Sequence, residues 1–177
     1  MKNLIYQNKL NLKIVGDWAI KAFMSFNGVI NKNVATKMIF TETDNNEGGK
    51  AYTDYKTVSY IEFNLGCYGK VFTGKLNKWK RENKWTDEQL ETNVITEIVM
   101  TVLHELSHLD QLYTGDVSID ESANEIRTNQ WVIDNQEYIE KVLNHPIDNM
   151  LYLNLSQYVK LPYAVYESIW VEEELLL

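Results

Sequence analysis

The segment TDEQLETNVITEIVMTVLHELSHLDQL, residues 86–112, decides the fold of this chain. Thr86 and Gln89 have the T-x-x-Q spacing of a capping box, in which each side chain bonds the other residue's backbone N–H and so starts a helix. Gly115 is predicted to end the region. The segment is therefore predicted to form a long buried helix, because its apolar residues recur with a period of 3.6: Leu90, Val94, Ile95, Ile98, Val99, Val102, Leu103, Leu106 and Leu109.

The late part of this helix carries His104-Glu105-Leu106-Ser107-His108, an H-E-x-x-H motif. Residues four apart lie on one helical face, so His104 and His108 can both offer imidazole nitrogens to one zinc ion at about 2.0–2.1 Å. Glu105 lies one residue round the helix, where its carboxylate can take a proton from a zinc-bound water that attacks a carbonyl. The chain has only three histidines, which makes a chance motif rare. The alternative is a pair of partly buried helix histidines beside a solvated glutamate.

The chain before this helix alternates between helical and extended patterns. Apolar residues at helical spacing predict helices, and short alternating runs rich in β-branched and aromatic residues predict strands. The predicted elements are a helix at 17–26, a strand at 36–41, a polar turn at 42–50 and a strand at 57–65.

Gly66 and Gly69 predict a turn after the second strand. Residues 70–84 then carry six basic side chains, with Trp79 and Trp85 close by in the sequence. Basic residues interleaved with aromatics can bind single-stranded nucleic acid by stacking. A solvated, lysine-rich connection between two elements is the more common meaning of such a segment, and we adopt it.

The H-E-x-x-H motif, the helix at 86–112 and a second helix after it resemble the zincin metallopeptidases. This resemblance covers roughly a third of the chain and implies an α+β domain with a small mixed sheet, an active-site helix and a following helix that carries an acidic ligand. In zincins the strand before the active-site helix is often the sheet edge along which a peptide lies, so residues 60–65 become the candidate substrate edge. The alternative is a plain structural strand.

The third zinc ligand distinguishes the zincin branches. A metzincin would continue as HExxHxxGxxH, whereas residues 109–114 are LDQLYT, with neither the glycine nor the third histidine. The gluzincin branch takes a glutamate from the next helix, and Glu121 resembles that ligand because Glu125, four residues later, could orient a ligating histidine. Glu125 and Asp120 remain alternatives, since Glu121 could instead complete a capping box with Ser118.

Asp120 is kept as a candidate for a second reason. Asp120-x-x-Ala123-Asn124 resembles the Glu-x-x-Ala-Asn signature of repressor-cleaving peptidases from phages and mobile elements, with Asp in the place of Glu. The helix that begins at residues 118–121 is predicted to continue to about Asn144, before His145-Pro146, and residues 147–177 are predicted to be largely helical. Tyr113 or His145 could donate to a developing oxyanion, although His145 is more typical of a helix-end cation.

Composition limits the possible partners. The chain of 177 residues fits one domain, residues 1–177, and its single cysteine, Cys67, excludes an internal disulfide and a Cys-rich metal site. The net charge of -8 disfavours nucleic acid as a partner. No apolar segment is long enough for a signal peptide core or a membrane span, so we expect a cytoplasmic protein with no membrane partner.

These observations together predict a zinc-dependent peptidase acting on a peptide or protein substrate. Zinc would be held by His104, His108 and Glu121, with Glu105 as the general base. A non-catalytic binding or regulatory protein on a zincin scaffold is the main alternative, but it has no chemical need for Glu105. A structural zinc site needs four protein ligands, and only three plausible ones converge here.

Overall fold

A 28-residue helix, α4 (Asp87–Thr114), forms the centre of the fold. The computed structural model describes residues 4–30, 32, 35–54, 56, 58–117 and 121–147, without the side chains of Glu121 and Ser122. The predicted capping box is confirmed, because Thr86 Oγ1 accepts from the Gln89 N–H at 3.2 Å and Gln89 Oε1 accepts from the Thr86 N–H at 2.9 Å. The helix ends, as predicted, at Gly115, whose φ of +71° suits glycine.

Further helices pack on α4 directly or through a neighbouring helix. Helix α1 (Leu12–Ile30) packs along it and extends the predicted helix of residues 17–26 at both ends. The predicted second helix is interrupted at Asn135 and forms α5 (Glu121–Asp134), which packs on α4, and α6 (Gln136–Leu143), which packs on α1. The predicted capping box at Ser118 and the predicted helical segment from residue 148 onward lie outside the described residues.

A three-stranded mixed sheet lies against α4. Its strands are β3 (Lys37–Thr41), β4 (Gly49–Thr53) and β5 (Ser59–Asn64), in the order β3-β5-β4. Strand β5 is parallel to β3 and antiparallel to β4, and β4 packs on α4. A separate antiparallel ribbon joins β1 (Ile5–Tyr6) and β2 (Lys9–Leu10). The predicted α+β class with a small mixed sheet is confirmed.

The predicted substrate edge at residues 60–65 is wrong. Strand β5 is bonded to β3 on one side and to β4 on the other, so its backbone has no open edge for a peptide. Alternating side chains identified the strand, but its place in the sheet depends on pairing with residues distant in sequence. Strand β4 is the edge that borders α4.

The predicted turn after β5 is wrong, since this part of the chain is helical, and the lysine-rich segment that connects β5 to α4 is largely a helix with none of its basic side chains buried. Helix α2 (Leu65–Cys67) leads through a π-helical turn (Tyr68–Phe72) into α3 (Thr73–Asn83). The Asn64 side chain starts α2 by accepting from the N–H groups of Gly66 and Cys67. Cys67 is buried, as expected of a small apolar side chain.

The described helices and the sheet share one hydrophobic core. Its largest fully buried side chains come from α1, β5, the π-helical turn, α3, α4 and α6. Among the described residues, no helix is both long and apolar enough to cross a membrane.

The buried Asn64 side chain also fixes the loop that precedes β4. Its amide donates to Thr43 Oγ1 at 2.8 Å, to Asn45 Oδ1 at 2.7 Å and to the Glu47 carbonyl at 2.9 Å, while its Oδ1 accepts from the Thr43 N–H at 3.1 Å. Asn64 is only 4% exposed, so these groups have little access to water as a substitute partner. One side chain thus connects the end of β5, the start of α2 and the loop before β4.

Replacing Asn64 with alanine is expected to lower the free energy of unfolding by about 2–3 kcal/mol, because buried backbone groups lose their partners. Urea denaturation of the purified protein measures this change. Asn77→Ala is the control, because Asn77 is exposed on α3 and should change stability by no more than about 0.5 kcal/mol. Equal stability of the two variants would contradict the role given to Asn64.

Candidate metal centre

The two imidazoles of the H-E-x-x-H motif face each other on α4. Their Nε2 atoms are 2.9 Å apart, and the side chains of His104 and His108 are 25% and 21% exposed. One helical turn brings the two rings together, and the apolar neighbours Leu103 and Leu106 are fully buried and fix the orientation of the helix. Both predicted histidine ligands therefore present one nitrogen to the same point.

Glu125 supplies the carboxylate at this point. Its Oε2 lies 3.0 Å from His104 Nε2, and its Oε1 lies 2.9 Å from His108 Nε2. One ligand atom from each of these three residues lies within 4.8 Å of the others, which makes the group able to hold a metal ion. Glu125 was an alternative in the sequence analysis. The side chain of the preferred Glu121, one turn earlier on α5, and all of Asp120 lie outside the described residues.

The donor set fits zinc. Two imidazole nitrogens and one carboxylate form the His₂Glu set that holds catalytic zinc, with a fourth position for water or substrate. Two ligand atoms around one tetrahedral ion lie roughly 3.3 Å apart, so separations of 2.9–3.0 Å need only small shifts. The third ligand atom comes from a different helix, so the metal group bridges α4 and α5.

The charges of the centre are coupled. Burial alone would lower the pKa of His104, but the hydrogen bond to Glu125 and the charges of Glu105 and Glu125 together raise it to about 9. Burial of Glu125 opposes ionisation, yet hydrogen bonds from His104 and His108 lower its pKa to about 2. Without a metal, His104 and Glu125 thus form an ion pair. A bound cation takes the place of the proton, so metal affinity falls as the pH is lowered.

Asn129 is a partner of His104 that the sequence analysis did not identify. Its Oδ1 lies 3.4 Å from His104 Nδ1, one turn after Glu125 on the same face of α5. When the Nδ1 N–H of His104 donates to Asn129, the lone pair of Nε2 is left for a metal. Asn129 can therefore fix both the tautomer and the orientation of the ring. The predicted pair, Glu121 as ligand with the acidic Glu125 as orienting residue, is not tested, because the side chain of Glu121 lies outside the described residues.

Glu105 lies on the side of α4 that faces the sheet, next to this group. Its side chain is buried, with 8% of the residue exposed, and its carboxylate accepts from the backbone N–H of Ala51 in β4. Burial raises the pKa of Glu105, while positive charge on His104 and His108 opposes that shift. The predicted general base therefore lies between the two imidazoles and the edge strand.

Buried polar contacts hold α5 in register with α4. Gln111 Nε2 donates to Thr128 Oγ1 at 2.8 Å, and both residues are at least nine-tenths buried. Nearer the loop, Arg127 forms an ion pair with Asp116 just after α4. Arg127 and Thr128 follow Glu125 within one turn of α5, so these contacts fix the height at which its carboxylate meets the imidazoles.

The two candidate oxyanion donors have other partners. The Tyr113 hydroxyl lies 2.6 Å from Thr53 Oγ1 and ties the end of β4 to α4. The His145 ring packs edge-on against Trp18 of α1, and its Nδ1 lies 2.6 Å from the Pro146 carbonyl oxygen. His145 lies just after the end of α6, and burial lowers its pKa, which disfavours the cationic form predicted there.

No model of a known family, no curated protein and no solved structure gives a significant match to this chain. The resemblance to the zincin metallopeptidases therefore depends on sequence motifs alone and stays a prediction. Function has to be argued from the site itself.

Glu125→Ala is expected to weaken zinc binding by more than the roughly 10–100-fold that loss of an outer partner costs, because a ligand is removed. Competition with a chromophoric zinc chelator measures the affinity. Glu121→Ala, one turn earlier on α5, is the matched variant and should retain most of the affinity. A larger loss in Glu121→Ala than in Glu125→Ala would assign the ligand to Glu121 instead.

Asn129→Ala should lower zinc affinity by about 10–100-fold, since His104 loses the partner that orients its ring. Asn129→Asp keeps an acceptor oxygen and is expected to restore the affinity. Gln130→Ala, at the adjacent exposed position, serves as the control in the same titration. Unchanged affinity in Asn129→Ala would show that the 3.4 Å contact has no role in metal binding.

Proposed function

We propose that this protein is a zinc-dependent peptidase in which His104, His108 and Glu125 hold the zinc ion and Glu105 is the general base. The observation that supports this most strongly is the convergence of two imidazoles and one carboxylate from α4 and α5. Three ligands leave a fourth position open, as hydrolytic zinc sites require.

A zinc ion held by His104, His108 and Glu125 would lower the pKa of a bound water to about 7 and would polarise the scissile carbonyl. Glu105 would take a proton from the attacking water and deliver it to the leaving amine. Burial, which raises the pKa of Glu105, suits a group that must both accept and release a proton near neutral pH.

Strand β4 is the candidate binding edge for the peptide. Only β5 pairs with it within the described sheet, and it lies directly on α4 beside the H-E-x-x-H motif. An extended peptide can add to such an edge through backbone hydrogen bonds. This assignment replaces the internal strand β5 and places a peptide next to Glu105, which contacts β4 at Ala51.

The alternatives have less support. A non-catalytic binding protein would not need a buried carboxylate beside the ligands, and a closed structural site needs a fourth protein ligand, which the described residues do not provide. The weaker likeness to repressor-cleaving peptidases involves Asp120, Ala123 and Asn124. Ala123 and Asn124 do not belong to the described metal group and Asp120 lies outside the described residues, so a link to phages or mobile elements is only an extension of the proposal.

Glu105→Gln should reduce kcat/KM for peptide cleavage by about 10²–10⁴-fold while zinc content stays near one ion per chain, because only the proton acceptor is lost. Cleavage of a peptide library, followed by mass spectrometry with and without a zinc chelator, provides the assay. Glu82→Gln, an exposed change on α3, is the control. Full activity in Glu105→Gln would rule out the mechanism, and a zinc-loaded wild type that cleaves no peptide would refute the proposed function.

A further inference from the structure

The backbone groups of β4 alternate between its partner strand and its open edge. The Asn64 N–H donates to the Gly48 carbonyl at 2.8 Å, and the Asp54 N–H donates to the Val58 carbonyl at 3.0 Å. In an antiparallel pair, bonded residues recur at every second position, so the even-numbered residues from 48 to 54 bond β5. The N–H and C=O of Ala51 are therefore directed away from β5.

The outward N–H of Ala51 has a partner within the chain, the Glu105 carboxylate. A strand edge ordinarily offers its outward groups to water or to an added strand. Here one of them is bonded to the residue that we propose as the general base. The edge and the base are thus connected by a direct hydrogen bond.

Gly49, two residues earlier in β4, makes room for the same side chain. A Cβ at this position would lie 2.9 Å from Glu105 Cγ, 3.1 Å from Glu105 Oε1 and 3.0 Å from Thr101 Cγ2. Separations near or below 3.0 Å are repulsive for carbon, and the Glu105 side chain is the part that can move away. Any larger residue at position 49 would therefore displace the carboxylate.

We infer that β4 is the positioning element for Glu105, with the Ala51 amide holding the carboxylate and Gly49 providing the space that it occupies. The catalytic role of this positioning rests on the proposed peptidase function. A peptide added to β4 and the base that acts on it would then be positioned by one strand. Such shared positioning favours the near-attack geometry on which hydrolysis depends.

The bond between Glu105 and the Ala51 N–H also restricts how a peptide can pair with the edge. While Glu105 holds the Ala51 N–H, that donor is unavailable to substrate, and the Ala51 carbonyl is the group that this residue can offer. A peptide that pairs with β4 therefore receives no hydrogen bond from the N–H of Ala51, the residue nearest the base.

Amide hydrogen exchange of the full chain, followed by NMR, tests the hydrogen bond without reference to turnover. The Ala51 amide should be protected in the wild type, and Glu105→Ala should speed its exchange by at least about tenfold. The Lys50 and Tyr52 amides, which face β5, are internal controls and should not change. Glu105→Gln keeps an acceptor oxygen and should restore part of the protection. Equal Ala51 exchange in wild type and Glu105→Ala would overturn the inference.

A pair of glycine variants tests whether Gly49 provides space for the Glu105 side chain. Gly49→Ala should lower kcat by up to about 100-fold with little change in KM or zinc affinity, because the base is displaced while the ligands are not. Gly48→Ala is the matched control, since its Cβ would lie at an ordinary 3.4 Å from Thr101. Glu105→Asp shortens the side chain that a Cβ at position 49 would displace. The loss of kcat in the double variant should therefore be smaller than the sum of the losses in Glu105→Asp and Gly49→Ala.

Additive losses, or equal effects of the two glycine variants on kcat, would show that Gly49 serves only the helix–sheet packing. If the wild type cleaves no peptide, the proposed function fails by that result alone. The exchange of the Ala51 amide still decides whether β4 holds Glu105.

Discussion

Burial of α4 between α1 and the sheet is the constraint on which the rest of the structure depends. Seven of its apolar side chains are almost completely inaccessible to water, and each contributes about 1.5–3 kcal/mol relative to an exposed position: Val94, Ile98, Val99, Val102, Leu103, Leu106 and Leu109. This packing determines the rotation of the helix about its axis. The rotation in turn directs His104 and His108 towards α5 and Glu105 towards β4.

The features that could be predicted from the sequence are those that local patterns encode. The capping box at Thr86, the stop at Gly115 and the two histidine ligand positions all follow from spacing along one helix. The periodicity of short segments indicated that strands accompany the helices, and the α+β class with a mixed sheet was implied by the resemblance to the zincins. In each case the residues responsible lie close together in the sequence, so the feature can be recognised from a single amino-acid sequence.

The features that were missed depend on contacts between distant residues. Residues 121 and 125 lie one turn apart on the same face of α5, so helical phase alone does not choose between their carboxylates. The height of α5 along α4, set by Gln111 with Thr128 and by Arg127 with Asp116, places Glu125 at the imidazoles. Likewise, no local pattern shows that β5 is the middle strand, or that Asn64 starts a helix where glycines suggested a turn.

The open edge of β4 has a consequence for the behaviour of the protein at high concentration. An edge that can accept a peptide can equally accept the same strand of a second copy, and such pairing would cover the edge of β4 beside Glu105. The strand has two features that oppose this association: it is only five residues long, and it carries the exposed Lys50. Like charges brought together in a dimer favour the monomer, so the lysine keeps the edge available for other chains.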